Sequence, residues 1–177
     1  LARVPYLQLL TTDPILCVCN VGETDAATGN IFSETVGKMA AEQGAAHVVV
    51  SAAIESEIAT LDPEDATEFL RELGLEEAGL VRMIRAGYGL LDLLTFFTVG
   101  PKEARAWTVH SGATAPEAAG VIHTDFQRGF IRAETIAFDD YMGCSGESGA
   151  KEAGKLRIEG SDYKVKDGDV FHFRFNV

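Results

Sequence analysis

Apolar residues follow two different patterns along the chain. From Pro14 to Val21 nearly every position is apolar, and the run closes on Asn20 and Gly22, as expected of a strand covered on both faces. Between Asn30 and Gln43 the apolar residues Phe32, Val36, Met39 and Ala40 recur at helical spacing. A second buried strand is expected over Ala46–Ala53, ending on Ser51-Ala52-Ala53. Strand, crossover helix and strand form the unit that builds a parallel sheet.

Asp62-Pro63-Glu64-Asp65 reads as a helix start, with Asp62 able to cap, Pro63 at the first helical position and two acids at the positive end of the dipole. That helix is expected to reach about Leu73 and stop near Gly74. Another is expected from Glu77 to Leu91, with Leu80, Ile84, Tyr88 and Leu91 on one face.

From Thr95 the pattern changes to short strands and turns. Thr95–Val99 and Ala104–His110 read as strands joined by Gly100-Pro101. Thr114-Ala115-Pro116-Glu117 has the form of a capping box opening a short helix to about Ile122. Phe130–Phe138 is a further strand, and Gly143–Lys151 a flexible loop running into a short helix. Asp167-Gly168 turns into Val170–Val177, where Phe171, Phe173, Phe175 and Val177 alternate with His172, Arg174 and Asn176. Two strands, a helix, then more strands is the order of a β-grasp. The expected fold class is α/β: the end of a parallel sheet with connecting helices over residues 1–94, then a β-grasp domain over 95–177. The aromatic stripe is read as core.

Composition narrows the function. Of 177 residues, 46% are hydrophobic, enough for real cores. No apolar run approaches the roughly 20 residues of a membrane span. The net charge is −12, and it is uneven: residues 1–94 carry 5 basic and 15 acidic side chains, residues 95–177 carry 10 and 12. Such a balance excludes broad electrostatic binding to nucleic acid, and no DNA sequence recognition is expected; any RNA contact must use a local patch in the second half. Cys17, Cys19 and Cys144 have no metal spacing and suit a reducing cytoplasm. The four histidines are scattered, so no metal site is expected from protein side chains alone.

The chemistry sits at the strand ends. In an open α/β sheet, ligands bind just beyond the carboxyl ends of the strands, which places Asn20 and Glu23 at the crevice. P-loop proteins that grip guanine use Asn-Lys-x-Asp at this point. Here the sequence is Asn20-Val21-Gly22-Glu23, without the stem lysine and with a longer acid. Ser51-Ala52 ends the next strand, where such sites place backbone N–H groups against a base. The phosphate-binding signature Gly-x-x-x-x-Gly-Lys-[Ser/Thr] does not occur in the chain.

These motifs, with Ser51-Ala52-Ala53-Ile54-Glu55-Ser56-Glu57 and the runs Tyr88–Gly100, Glu103–Thr108 and Gly120–Glu134, resemble the YchF family, the Obg-like ATPases of the translation-factor class of P-loop NTPases. The resemblance covers nearly the whole chain. It implies an ATPase that tolerates GTP, with a ubiquitin-like TGS domain at its C-terminus, and makes Leu1–Asp13 the return from a helical insertion. The phosphate-binding loop, both switch regions and the Mg²⁺ ligands would lie upstream of Leu1, so the chain is expected to be a C-terminal portion of a longer cytoplasmic protein, inactive in hydrolysis alone. ATP or GTP with Mg²⁺ would be the cofactor of the intact protein.

The expected nucleotide contacts are Asn20, Val21, Glu23, Ser51, Ala52 and Ala53. Asn20 holds the loop, Val21 packs on the base and Glu23 meets its edge. No residue earns a catalytic role. Partner contacts, to the ribosome or RNA through the TGS domain, are expected at His123, Asp125, Arg128 and Arg132, with Lys102 and Arg105 nearby. Two other readings stay open: a non-enzymatic β-grasp interaction module behind a degenerate α/β segment, and a TGS domain of a threonyl-tRNA synthetase or stringent-response enzyme, against which the upstream segment argues.

Overall fold

A computed structural model of the chain describes residue 10 and residues 13–176. The expected return segment Leu1–Asp13 falls almost wholly outside the described residues, as does Val177. The chain divides into two compact units, Leu1–Leu91 and Asp92–Val177. The division comes three residues earlier than expected, because Leu93 and Leu94 already pair with His110 and Val109.

In the first unit, β1 (Leu16–Asn20) and β2 (Ala46–Val50) lie parallel, with Leu16 opposite Ala46 and Asn20 opposite Val50. The crossover is α1 (Ile31–Gln43), capped by Asn30, whose side chain accepts from the Phe32 and Ser33 amides. The Ser33 hydroxyl accepts in turn from the Asn30 amide at 2.8 Å, a capping box closed by serine. β2 stops at Val50, and the expected strand residues Ala52 and Ala53 instead open α2 (Ala52–Ile58). Alanine is the best helix former and a poor strand former, so the chain turns as soon as the valines end.

α3 (Pro63–Glu72) begins as expected, but Asp62 makes no side-chain capping bond; proline at the first turn and the acids Glu64 and Asp65 support it instead. Leu75 then docks against Ala26 and Ile54 to close a small core. α4 (Gly79–Leu90) completes the unit.

Burial departs from expectation in a consistent way. Val18 of β1 is 46% exposed, because a two-stranded sheet is too narrow to screen both faces of the run. In α1 Phe32 is 78% exposed, and Ser33 and Ala40 are the buried residues. In α4 Leu80 and Ile84 are exposed, as is Leu91 just beyond its end, and Gly79 is buried. In α1 and α4 the fully buried residues are small, and the bulky Phe32, Leu80 and Ile84 stay open.

The second unit holds a five-stranded sheet in the order β4-β3-β7-β5-β6, built from β3 (Leu93–Val99), β4 (Ala104–His110), β5 (Phe130–Ala137), β6 (Arg157–Glu159) and β7 (Asp169–Phe175). β3 and β7 pair in parallel and every other neighbouring pair is antiparallel, the arrangement of a β-grasp. α5 (Ala115–Ile122) crosses one face, burying Ala115, Ala118 and Ala119 against Phe96, Phe171 and Phe173. Phe96 meets both other rings edge-on, at 5.7 and 6.2 Å between centroids. α5 opens on the expected box: Glu117 accepts from the Thr114 amide at 2.6 Å and from its hydroxyl at 2.8 Å.

Three shorter helices complete the unit: α6 (Thr124–Arg128), α7 (Phe138–Gly143) and α8 (Glu147–Glu152). Phe138 leaves the strand expected to include it and starts α7. The expected loop from Gly143 is only three residues long before α8, closed by backbone bonds from Cys144 to Asp140 and from Gly146 to Tyr141. Gly129 lies against the Asn176 carbonyl so closely that any Cβ would collide with it, so β5 can enter the sheet there only on a glycine. Buried Asp169 accepts from the Tyr163 hydroxyl, the Lys166 amide and Arg157. Burial, and then the bond to Asp169, push the Tyr163 phenol above its ordinary range.

Candidate functional site

The two strand ends of the first unit are tied together. Asn20, the last residue of β1, accepts a hydrogen bond through Oδ1 from the Ala52 amide at 3.0 Å. Alongside it, the Val21 amide donates to the Val50 carbonyl at 2.9 Å. The parallel register delivers Asn20 opposite Val50, so a side chain at the end of one strand reaches the first turn after the next.

Around this tie the remaining residues are graded by exposure. Val21 is half-buried, and Ala52 and Ala53 are exposed at the start of α2. Ser51 is only 2% exposed, and its hydroxyl has no hydrogen-bond partner. Glu23 stands in a single 3₁₀ turn, Glu23–Asp25, with an exposed carboxylate. The structure thus brings Asn20, Val21, Ser51 and Ala52 into one strand-end cluster, with Ala53 beginning the adjoining helix. Glu23 follows Asn20 by one turn. A cavity of about 290 Å³ in the same unit is lined by Ala27, Gly74, Leu75, Glu76, Glu77 and Arg82, and by none of these residues.

A residue that sequence reasoning did not select ties the helix after the cluster to α4. Glu55, one turn beyond Ser51, accepts from the Gly79 amide at 2.7 Å and from the Leu80 amide at 3.1 Å. Its carboxylate meets the first two amides of α4, groups that lack partners within the helix. A Cβ at Gly79 would come within 2.9 Å of Glu55 Oε1 and 3.0 Å of the Val50 side chain, so any larger residue would press on both. The only signal in the sequence was a glycine at the start of an apolar helix.

In the second unit the expected partner residues do not form one patch. His123 caps α6, its Nδ1 accepting from the Asp125 amide, and Asp125 lies 3.7 Å from Arg128, which is 83% exposed. Arg132 is elsewhere: it lies on the sheet face opposite the phenylalanine core, 3.8 Å from Glu134. Strand alternation separates it, since neighbouring Ala133 is buried in that core. Lys102 is exposed in the β3–β4 turn, and Arg105 stacks over Trp107 at 4.2 Å.

Among the described residues no helix is long and apolar enough to cross a membrane.

Residues 93–176 match the family model YchF-GTPase_C, described as "Protein of unknown function (DUF933)". The chain is 58% identical to the "Ribosome-binding ATPase YchF" of Haemophilus influenzae, over 100% of this chain and 48% of that protein. It is 54% identical to the protein of the same name from Bacillus subtilis, over 98% and 48%. The solved YchF GTPase of Schizosaccharomyces pombe superposes with a TM-score of 0.80 at 32% identity, over 97% of this chain and 46% of that one. A GTP binding protein from Pyrococcus horikoshii superposes at 0.60 with 18% identity, a likeness of fold, over 92% and 46%. The chain spans about half the length of the curated relatives it matches.

Proposed function

We propose that the chain belongs to the YchF family and is the C-terminal portion of a ribosome-associated ATPase that prefers ATP to GTP. The first unit supplies the base-recognising end of the nucleotide site, and the second is a TGS domain. The observation that carries this reading is the Asn20–Ala52 hydrogen bond, which fixes two strand ends 32 residues apart at the point where α/β sheets bind ligands.

The base preference follows from hydrogen-bond chemistry. Guanine offers paired N–H donors that suit a short aspartate, whereas adenine offers an exocyclic amino donor where guanine has a carbonyl. At Asn20-Val21-Gly22-Glu23 the acid is longer and the lysine is replaced by a residue able to pack on a ring face. Backbone acceptors at the strand end can take the adenine amino group. Phosphoryl transfer itself needs phosphate-cradling amides, a lysine and Mg²⁺ ligands. None of the residues proposed here takes those roles, so the half of the relatives that this chain does not span would supply them. That half would also cover the open apolar stripes of α1 and α4. The name of the relatives, ribosome-binding ATPase, supports a cytoplasmic location for the intact protein.

The test is a Val21→Lys, Glu23→Asp double substitution in the full-length protein, with ATP and GTP affinities measured side by side. The preference shifts toward GTP if this reading is right; an unmoved preference overturns it. ATP turnover by the 177-residue chain alone would overturn the division of labour. For the second unit, reversing the charge at Arg128 should weaken co-sedimentation of the full-length protein with ribosomes. Arg132, lying on the other sheet face, should act independently of Arg128.

A further inference from the structure

Away from the nucleotide cluster, three side chains from three elements converge on one point of the second unit. Glu134 of β5 and His172 of β7 are direct cross-strand neighbours on the face opposite the phenylalanine core. Glu147, the first residue of α8, closes over them. One ligand-type atom from each lies within 4.8 Å of the other two. A hollow lined by all three measures about 10 Å³, room for a single water or ion, and Ile136, Leu156 and Val170 are among its other lining residues.

We propose that Glu134, Glu147 and His172 form a binding site for a divalent transition-metal ion of the Zn²⁺ type. His172 Nδ1 and Glu147 Oε1 are 4.0 Å apart, too far for a hydrogen bond but close to the separation of two ligands astride one ion. Tetrahedral Zn²⁺ with bonds of about 2.1 Å holds its ligands about 3.4 Å apart, so a small rotation of exposed Glu147 brings it to ligand distance from His172. The two strand ligands are fixed by the sheet ladder, and a fourth position is left to water.

Neighbouring charges determine which ions fit. Arg174 donates to both Glu134 oxygens, at 3.2 and 3.0 Å, and Arg132 stands 3.8 Å from Oε1. The Arg174 bonds orient the carboxylate, as outer partners of metal ligands do, while each oxygen keeps a second lone pair. Two guanidinium groups also oppose a cation bound by charge alone. The site therefore favours ions that bond strongly to imidazole nitrogen over the hard cations Mg²⁺ and Ca²⁺.

Calorimetric titration of the full chain with Zn²⁺ tests this, with Mg²⁺ as the comparison ion and the His172 imidazole resonances followed by NMR. The expected result is saturable Zn²⁺ binding that shifts the His172 signals and weakens at least tenfold in both His172→Ala and Glu147→Gln. A Cys17→Ser, Cys19→Ser double variant should retain it. The proposal is overturned if both single variants bind Zn²⁺ as the wild type does, if the His172 signals do not respond, or if Mg²⁺ competes on equal terms. Glu147 and His172 are both exposed, and circular dichroism identifies any variant that fails to fold.

Discussion

Glu55 and Gly79 are 24 residues apart, and the carboxylate of one takes the amide hydrogen of the other at 2.7 Å. This contact fastens the helix that follows the Ser51 strand end to the start of α4. Glu55→Ala would leave the buried Gly79 amide without an acceptor, a loss of about 1–3 kcal/mol. Urea denaturation followed by circular dichroism should register it, with faster hydrogen exchange at the Gly79 and Leu80 amides. Glu55→Gln keeps one acceptor oxygen and should lose less.

At the Asn20–Ala52 tie the expected effect is on binding more than on folding, because the Ala52 residue is exposed and water can replace the lost partner. Asn20→Ala removes one hydrogen bond of about 0.5–1.5 kcal/mol. In the full-length protein this should weaken ATP affinity about two- to tenfold, measured by equilibrium binding. Asn20→Asp retains an acceptor at the same reach and should recover part of the loss.

Ser51 should respond in the opposite direction. Its hydroxyl is buried and unpaired, so Ser51→Ala removes a polar group that the chain desolvates without compensation. Stability should be unchanged or higher by up to about 1 kcal/mol. If the hydroxyl meets bound nucleotide, the same variant in the full-length protein should bind ATP less tightly. Denaturation and affinity then move apart.

The acid limb of the second unit's stability should depend in part on Glu117. The Thr114 amide, then its hydroxyl, hold the Glu117 carboxyl below its ordinary 4.5, with a smaller contribution from Lys164. A carboxylate whose pKa is lower in the folded chain adds stability above its unfolded value and loses it as the pH falls through the folded one. Glu117→Gln should therefore be less stable at pH 7 and show a flatter decline below pH 4.5. Trp107, the single tryptophan, lies in β4 and reports this unit by fluorescence.

Much of this architecture was readable from the residues themselves. The alternation from Val170 to Val177 placed Phe171 and Phe173 in the core, although Phe175, expected on the same face, is exposed, and Thr114 with Glu117 marked the start of α5. What misled was the assumption that the bulkiest apolar stripe faces inward. Phe32 and Ile84 are exposed, whereas small residues such as Ala40 and Gly79 make the close contacts, and small residues carry little periodic signal. At the candidate site, Asn20 and Ser51-Ala52 were legible because both sit at strand ends in order. Glu55 was not, since its partners are backbone amides that no side-chain pattern reveals. Glu134 and His172 meet only through strand register, which the sequence does not state.

The position of β7 has a consequence for how the protein is made. This last strand of the chain is laid between β3 and β5, pairing Phe97 with Val170 on one side and Phe130 with Phe175 on the other. The strands made first therefore have no centre to assemble around until the final described residues have emerged from the ribosome. Completion of this sheet therefore waits for β7, and a premature stop after Lys166 would remove the middle of the sheet rather than its margin.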